Sequence, residues 1–210
     1  MRKTTHFIVV IFAALSWGCQ TEPDSAELID QMVVSTNYDP AADFTTYTTY
    51  AIPRDTIGLV SNAQDDTIIT SPQNTYPRRV LSIINSNMES RGYTRVDREE
   101  NPDIGVNVMV VQDFNVFQEL VYPNYGYPGS YYSGYYGYGS YYSYPYVNTY
   151  AYNTGVLIIE FVDLKNKTPD NKVKVVWDAY LGDVYSTVDL DAQTEDAINQ
   201  AFIQSPYLGK

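Results

Sequence analysis

Three stretches of the chain alternate between apolar and other residues with a period of two, the pattern of strands. Ile104 to Val111 places Ile104, Val106, Val108 and Val110 on one face. Val156 to Asp163 points Leu157, Ile159 and Phe161 toward a core and Glu160 outward. Val173, Val175, Trp177, Ala179 and Leu181 are expected on the inward face of a third strand, with Trp177 as core. Upstream, Met32, Val34, Thr36 and Tyr38 share a face of a first strand, which turns at Asp39-Pro40. Tyr47 to Ile52 reads as a second strand, stopped by Pro53. Residues 54–75 are polar and interrupted by Gly58 and Pro72, so a loop is expected there despite Ile68-Ile69.

Two segments switch to helical spacing. Pro77 suits a helix start, because the first helical position needs no amide donor. Val80, Leu81, Ile83, Ile84 and Met88 then form one stripe, and Gly92 can take the left-handed conformation that ends the helix. A second helix is expected at about 191–204, with Ala197, Ile198, Ala201 and Phe202 inward and Pro206 as its stop. Glu195 and Asp196 favour its N-terminal end. The order is therefore ββ-α-βββ-α. It predicts an α+β domain at 32–210: a mostly antiparallel sheet of about five strands with two helices packed on one face.

The N-terminus follows another logic. Arg2 and Lys3 precede the nine-residue apolar run Phe7–Leu15, long enough for a signal peptide and too short to span a bilayer. Ser16-Trp17-Gly18-Cys19 follows and resembles the lipobox of bacterial lipoproteins. Leu15 stands four residues before the cysteine instead of three, and Trp17 is bulky beside the cut. The resemblance implies removal of residues 1–18, lipidation of Cys19 and a membrane partner through the anchor. Residues 19–31 are polar and acidic and read as a flexible tether. Gln20 is not the aspartate of an inner-membrane retention signal, so an outer-membrane lipoprotein of the cell envelope is expected, on either its periplasmic or its surface face.

Cleavage sharpens what the composition excludes. The net charge of -12 becomes -14 when Arg2 and Lys3 are lost, which speaks against nucleic-acid binding. His6 and Cys19 are the only histidine and the only cysteine. The mature domain would keep neither a histidine nor a free thiol, so Ser-His-Asp and Cys-His chemistry and ordinary zinc sites are excluded. Neither a cofactor nor a metal is expected.

Several short motifs occur in order along the domain. They are Asp39 through Phe44 to Tyr50-Ala51, Arg91-Gly92-Tyr93, Pro102-Asp103-Ile104, Gly155 to Asp163, Val176-Trp177-Asp178-Ala179, and Ala197-Ile198 ahead of Pro206. In this order they resemble the bacterial lipoproteins of the "domain of unknown function 4136" family over about residues 32–207. The resemblance implies an anchored α+β domain and brings no catalytic residues with it.

A Tyr/Gly-rich insertion at about 120–153 departs from that pattern. Tyr122–Tyr152 holds 14 tyrosines in 31 residues, and no charged residue occurs from Leu120 to Ile159. Its spacing reads as neither helical nor cleanly alternating, and its Gly and Pro content opposes regular structure. Fourteen tyrosines could present over ~2,000 Å² of surface, against the ~300–600 Å² of an ordinary largest apolar patch. The segment is therefore either a partly packed loop without a ligand or a contact surface. Tyr131, Tyr132, Tyr135, Tyr136, Tyr138, Tyr141 and Tyr142 are its candidate contacts, for an envelope protein, a second copy or a glycan.

The acids supply the one enzymatic alternative, a carboxylate-dependent glycan hydrolase. Asp183, Asp189 and Asp191 cluster in sequence, as do Asp65 and Asp66. Solvated loop and helix-start acids are the simpler reading. Asp189-Leu-Asp191 lacks the glycine and distal glutamate of a calcium loop, and Ser133 and Ser140 resemble no nucleophile elbow. The leading expectation is a non-enzymatic binding or structural module; a purely structural subunit of an envelope assembly is the other alternative.

Overall fold

A computed structural model describes residues 33–60, 67–111, 131–138, 140–143, 155–182 and 189–209. The strands are β1 (Val34–Tyr38), β2 (Thr49–Ala51), β3 (Thr56–Val60), β4 (Thr67–Ile69), β5 (Thr94–Arg95), β6 (Ile104–Val111), β7 (Ser140–Ser143), β8 (Val156–Asp163) and β9 (Lys172–Gly182). The helices are α1 (Tyr76–Ser90), α2 (Tyr131–Tyr136) and α3 (Leu190–Ile203).

Among the described residues the strands join one nine-stranded sheet with the path β1-β9-β8-β6-β2-β5; β3 pairs with β6 and β4, and β7 with β9. Pairings β1–β9, β3–β4, β6–β8 and β8–β9 are antiparallel, whereas β2–β5, β2–β6, β3–β6 and β7–β9 are parallel. This corrects the expected sheet of about five mostly antiparallel strands with two helices. The difference has two sources. Residues 54–75 hold β3 and β4, whose polar and glycine content hides a short hairpin. A helical crossover through α1 then returns the chain so that β5 and β6 run alongside β2 in the same direction, as crossovers do.

The core lies between the sheet and the two long helices. Val80, Leu81, Ile84 and Met88 of α1 and Ala197, Ile198, Ala201 and Phe202 of α3 are buried against Val106, Val108, Leu157, Ile159, Phe161 and Trp177. Trp177 is fully buried, as expected, and its Nε1 donates to Ser205 Oγ at 2.9 Å, so its one polar atom is satisfied inside the core. At the end of α1, Gly92 takes φ +85°. Beside it Arg91 lies 4.9 Å above the Phe202 ring and donates to the Phe202 carbonyl at 2.8 Å, which ties the two helices together.

A bulge divides β9. Phe161 pairs with Trp177 and Val162 with Val175, so Val176 is the extra residue. Val176 and Trp177 therefore both face the helices, while Val173 and Val175 face the opposite side of the sheet. The single inward face expected for Val173 through Leu181 is thus split in two.

Candidate functional site

The second face of the sheet is buried as well, and residues 131–138 of the tyrosine segment cover part of it. The expectation that this segment would avoid regular structure is not met at 131–136. Tyr132 and Tyr136 stand four residues apart, on one side of α2, and their rings lie 6.1 Å apart at 17°. With Tyr138 they pack on Val162, Val173 and Val175 as a second cluster. Gly137 ends the helix at φ +69°. Asn171, in the β8–β9 turn, donates to the Gly137 carbonyl at 3.0 Å.

The docking has a specific cause. On the edge of β6 away from β8, Ile104 and Gly105 pair with β2, and Met109–Val111 pair with β3. No described strand pairs with Val106–Val108 between them, because the chain leaves β2 at Ala51 and rejoins β6 only at Gly58. The tyrosine hydroxyls enter that gap. Tyr132 Oη donates to the Val108 carbonyl at 2.6 Å and accepts from the Val108 amide at 2.8 Å. Tyr136 Oη accepts from the Val106 amide at 3.0 Å, and the carbonyls of Ala51 and Val106 lie 2.8 and 2.9 Å away as acceptors. Two side chains so supply the partners a strand would have given. Burial raises both phenols well above their ordinary value of 10, which keeps them protonated as donors.

Glycines make room for the rings. A Cβ on Gly105 would lie 2.9 Å from Val162 Cγ2 and 3.1 Å from the Tyr136 ring, and one on Gly58 would lie 3.0 Å from Met109 Cβ. On its outer side α2 is held by Arg98, which sits 4.7 Å above the Tyr135 ring and donates to the Tyr135 carbonyl at 3.3 Å.

Beside the tyrosines a polar row crosses four strands of the same face. The register aligns Asn37 of β1, Asp178 of β9, Glu160 of β8 and Asn107 of β6. Asn37 Nδ2 donates to Asp178 Oδ1 at 2.9 Å, and Asn107 Nδ2 donates to Glu160 Oε2 at 3.2 Å and reaches Tyr138 Oη at 3.4 Å. Asn107 is fully buried, Asp178 is 3% exposed and Glu160 8%. Glu160 does point away from the helices, yet it is not solvated as an outward residue would be. Burial pushes its carboxyl from 4.5 up to about 7, against a smaller downward pull from Asn107.

The residues singled out from the sequence separate accordingly. Tyr132 and Tyr138 are buried, Tyr136 is committed to the gap, and Tyr131 and Tyr135 are half-buried on the outer side of α2. Tyr141 and Tyr142 lie in β7 beside Val173 and Lys174; their side chains fall outside the described set. Cys19, Asp65, Asp66 and Asp183 lie outside the described residues. Asp189 caps α3 by accepting from the Ala192 amide at 3.1 Å, and Asp191 pairs with Arg79 at 3.2 Å. Sequence reasoning passed over Asn107, Glu160 and Asp178. The available signal was that each interrupts an otherwise nearly continuous apolar strand, which marks a strand buried on both faces.

The family model described as "Domain of unknown function (DUF4136)" matches residues 34–207. The crystal structure of a protein of that family from Bacteroides thetaiotaomicron is similar at 28% identity and a TM-score of 0.64, covering 86% of this chain and 98% of that one. PelC from Paraburkholderia phytofirmans, described as a dodecamer, is 14% identical with a TM-score of 0.40, covering 86% of this chain and 99% of that one. A PDZ domain protein from Parabacteroides distasonis is 18% identical with a TM-score of 0.39, covering 84% of this chain and 36% of that one. No curated protein matches.

Proposed function

This chain belongs to the DUF4136 family, and from that premise we propose a non-enzymatic binding or structural module of the cell envelope, anchored in the outer membrane by a lipid on Cys19. The observation that carries the non-enzymatic part is how Asp39, Asp103 and Asp163 are used. Asp103 accepts from the amides of Thr48 and Thr49 at 2.7 and 3.2 Å. Asp163 accepts from Tyr47 Oη at 2.8 Å and the Asn166 amide at 2.9 Å. Asp39 holds Lys174 and the Ala41 amide. These carboxylates fasten loops to the sheet.

The anchoring part rests on the lipobox-like Leu15-Ser16-Trp17-Gly18-Cys19. Residues 20–33 separate Cys19 from the first family-matched residue, a tether of about 45 Å at full extension. Its acidic residues favour a hydrated spacer. Among the candidate tyrosines whose side chains are described, Tyr131 and Tyr135 beside Arg98 are left for contact, because Tyr132, Tyr136 and Tyr138 are spent on the sheet. Both rim rings are half-buried and keep part of their surface open for contact, which suits an envelope protein, a second copy or a glycan.

The test is a membrane fractionation of the Cys19→Ser variant together with the intact mass of the wild-type protein. The wild type is expected in the membrane fraction, with acyl mass on a mature chain that starts at Cys19. The variant is expected in the aqueous fraction. An unmodified thiol on a wild-type protein that does not sediment with membranes would end the anchoring reading.

A further inference from the structure

The two long helices lie side by side and leave a cavity of about 550 Å³ along their outer seam, within the range of about 300–1,000 Å³ common to small-molecule sites. Their contacts advance together, Tyr76 with Thr194, Arg79 with Asp191 and Glu195, Asn87 with Asn199 and Arg91 with Phe202, so α1 and α3 run in the same direction. Two of these contacts fix the cavity wall. Arg79 donates to Asp191 and to Glu195 Oε2, both at 3.2 Å, and Asn87 Nδ2 donates to Asn199 Oδ1 at 2.8 Å and to the Ile83 carbonyl at 3.1 Å. The polar groups of the wall are therefore held in place before any ligand arrives. What they leave unused has a consistent chemistry. Among the described residues, Arg78 is the one arginine without a hydrogen-bond or ion-pair partner: Arg54, Arg79 and Arg98 pair with acids, and Arg91 and Arg95 donate to carbonyls. Arg78 lines the cavity. The hydroxyls of Thr75 and Ser82 and the Nδ2 of Asn199 add donors, and Glu195 Oε1 adds an acceptor, none of them bonded among the described residues.

We propose that this cavity binds an acidic sugar, a hydroxylated ring bearing one carboxylate or phosphate. The planar guanidinium of Arg78 takes the oxyanion as a two-pronged donor. Thr75, Ser82 and Asn199 donate to ring oxygens, and Glu195 accepts from a ring hydroxyl. Glu195 argues against a bare anion, which it would repel, and for a ligand that donates hydrogen bonds as well as accepting them. The charge of Arg79 is already spent on Asp191 and Glu195, so Arg78 alone sets the preference for an acidic group. The site lies in the helix layer, whereas the tyrosines pack on the opposite face of the sheet. The proposal is independent of the tyrosine rim and of the lipid anchor.

The experiment titrates glucuronate, glucose 6-phosphate, glucose, acetate and inorganic phosphate into the full chain in detergent micelles and follows the backbone amide resonances by NMR. At least one of the two acidic sugars is expected to bind saturably and to shift the amides of Ser82 and Asn199, with glucose and the two bare anions weaker by about tenfold or more. The acidic sugar that binds identifies the oxyanion. Arg78→Gln, on the exposed side of α1, is expected to weaken that binding about tenfold, and Ser82→Leu, which fills the cavity, to abolish it. Arg54→Gln, outside the cavity, is expected to leave it unchanged. Binding of neither acidic sugar would overturn the proposal. Equal affinity for a bare anion and the matching sugar would overturn it too, as would Arg78 and Ser82 variants that bind as wild type does, because the ligand would then sit elsewhere.

Discussion

Replacing Tyr132 and Tyr136 together by phenylalanine is expected to destabilise the domain by about 4 kcal/mol while leaving the aromatic packing in place. Each substitution deletes only an oxygen. The Tyr132 hydroxyl, however, serves both the amide and the carbonyl of Val108, and the Tyr136 hydroxyl serves the Val106 amide and a carbonyl of Ala51 or Val106. Val106 and Val108 are fully buried, so the groups left behind find no water. A buried polar group that loses its partner costs about 1–3 kcal/mol, whereas an exposed tyrosine hydroxyl costs little. Tyr135→Phe on the outer side of α2 is the matched control, with an expected loss below about 0.5 kcal/mol. Urea denaturation of the three proteins separates these values. A double variant as stable as the control would mean that the hydroxyls do not close the gap in the sheet.

Glu160→Gln is expected to have the opposite sign, with a pH dependence that identifies its cause. The carboxyl has a pKa of about 7 in the fold against an ordinary 4.5. In the unfolded chain it ionises first, so the folded state binds more protons between these values. Its stabilising contribution is therefore complete below pH 4.5 and is lost as pH rises to about 7. The shift corresponds to about 3 kcal/mol. The glutamine variant should match wild type near pH 4 and exceed it by about 3 kcal/mol at pH 8, a Tm difference of roughly 6–10 °C. Glutamine keeps an acceptor for Asn107 and brings an amide donor to the row. Parallel pH profiles for the two proteins would contradict a buried, unpaired carboxylate at this position.

The helix-facing half of the fold was legible from the chain alone. The alternation in β6 and β8 and the stripes in α1 and α3 state which residues meet, and Val106, Ile159, Ile84 and Phe202 meet as expected. The second face was not legible, for physical reasons. In β9 the bulge at Val176 breaks the period of two, so a single alternating face could not be read through it. In β3 and β4 short strands carry glycine and polar residues and take their stability from pairing with each other and with β6. In α2 the doublets Tyr131-Tyr132 and Tyr135-Tyr136 do recur at a helical spacing of four. Ser133, Gly134 and Gly137 mask that signal, and six residues are too few to form a helix without tertiary support.

The site was legible to a different degree. Residues that carry the family resemblance perform structural tasks: Asp103 binds the amides of Thr48 and Thr49, Arg91 joins the helices, and Trp177 fills the core. This explains why the family could be read from the chain while its chemistry could not. The tyrosines were recognisable as unusual, but the division between Tyr132 and Tyr136 inside and Tyr131 and Tyr135 at the rim depends on a gap between β2 and β3 that no local pattern announces. Glu160 and Asp178 lie 18 residues apart in sequence and become neighbours only through the register of β8 on β9.

The central claim is that part of the tyrosine segment is a built-in piece of the sheet. Residue-resolved amide hydrogen exchange tests it most directly. The amides of Val106 and Val108 should be protected as strongly as those of Ile104 and Val110 in the wild type, and should lose that protection in the Tyr132→Phe/Tyr136→Phe protein while Val110 keeps its own. Rapid exchange at Val106 and Val108 in the wild type, beside protected neighbours, would mean that the gap stands open and that α2 is not docked in it.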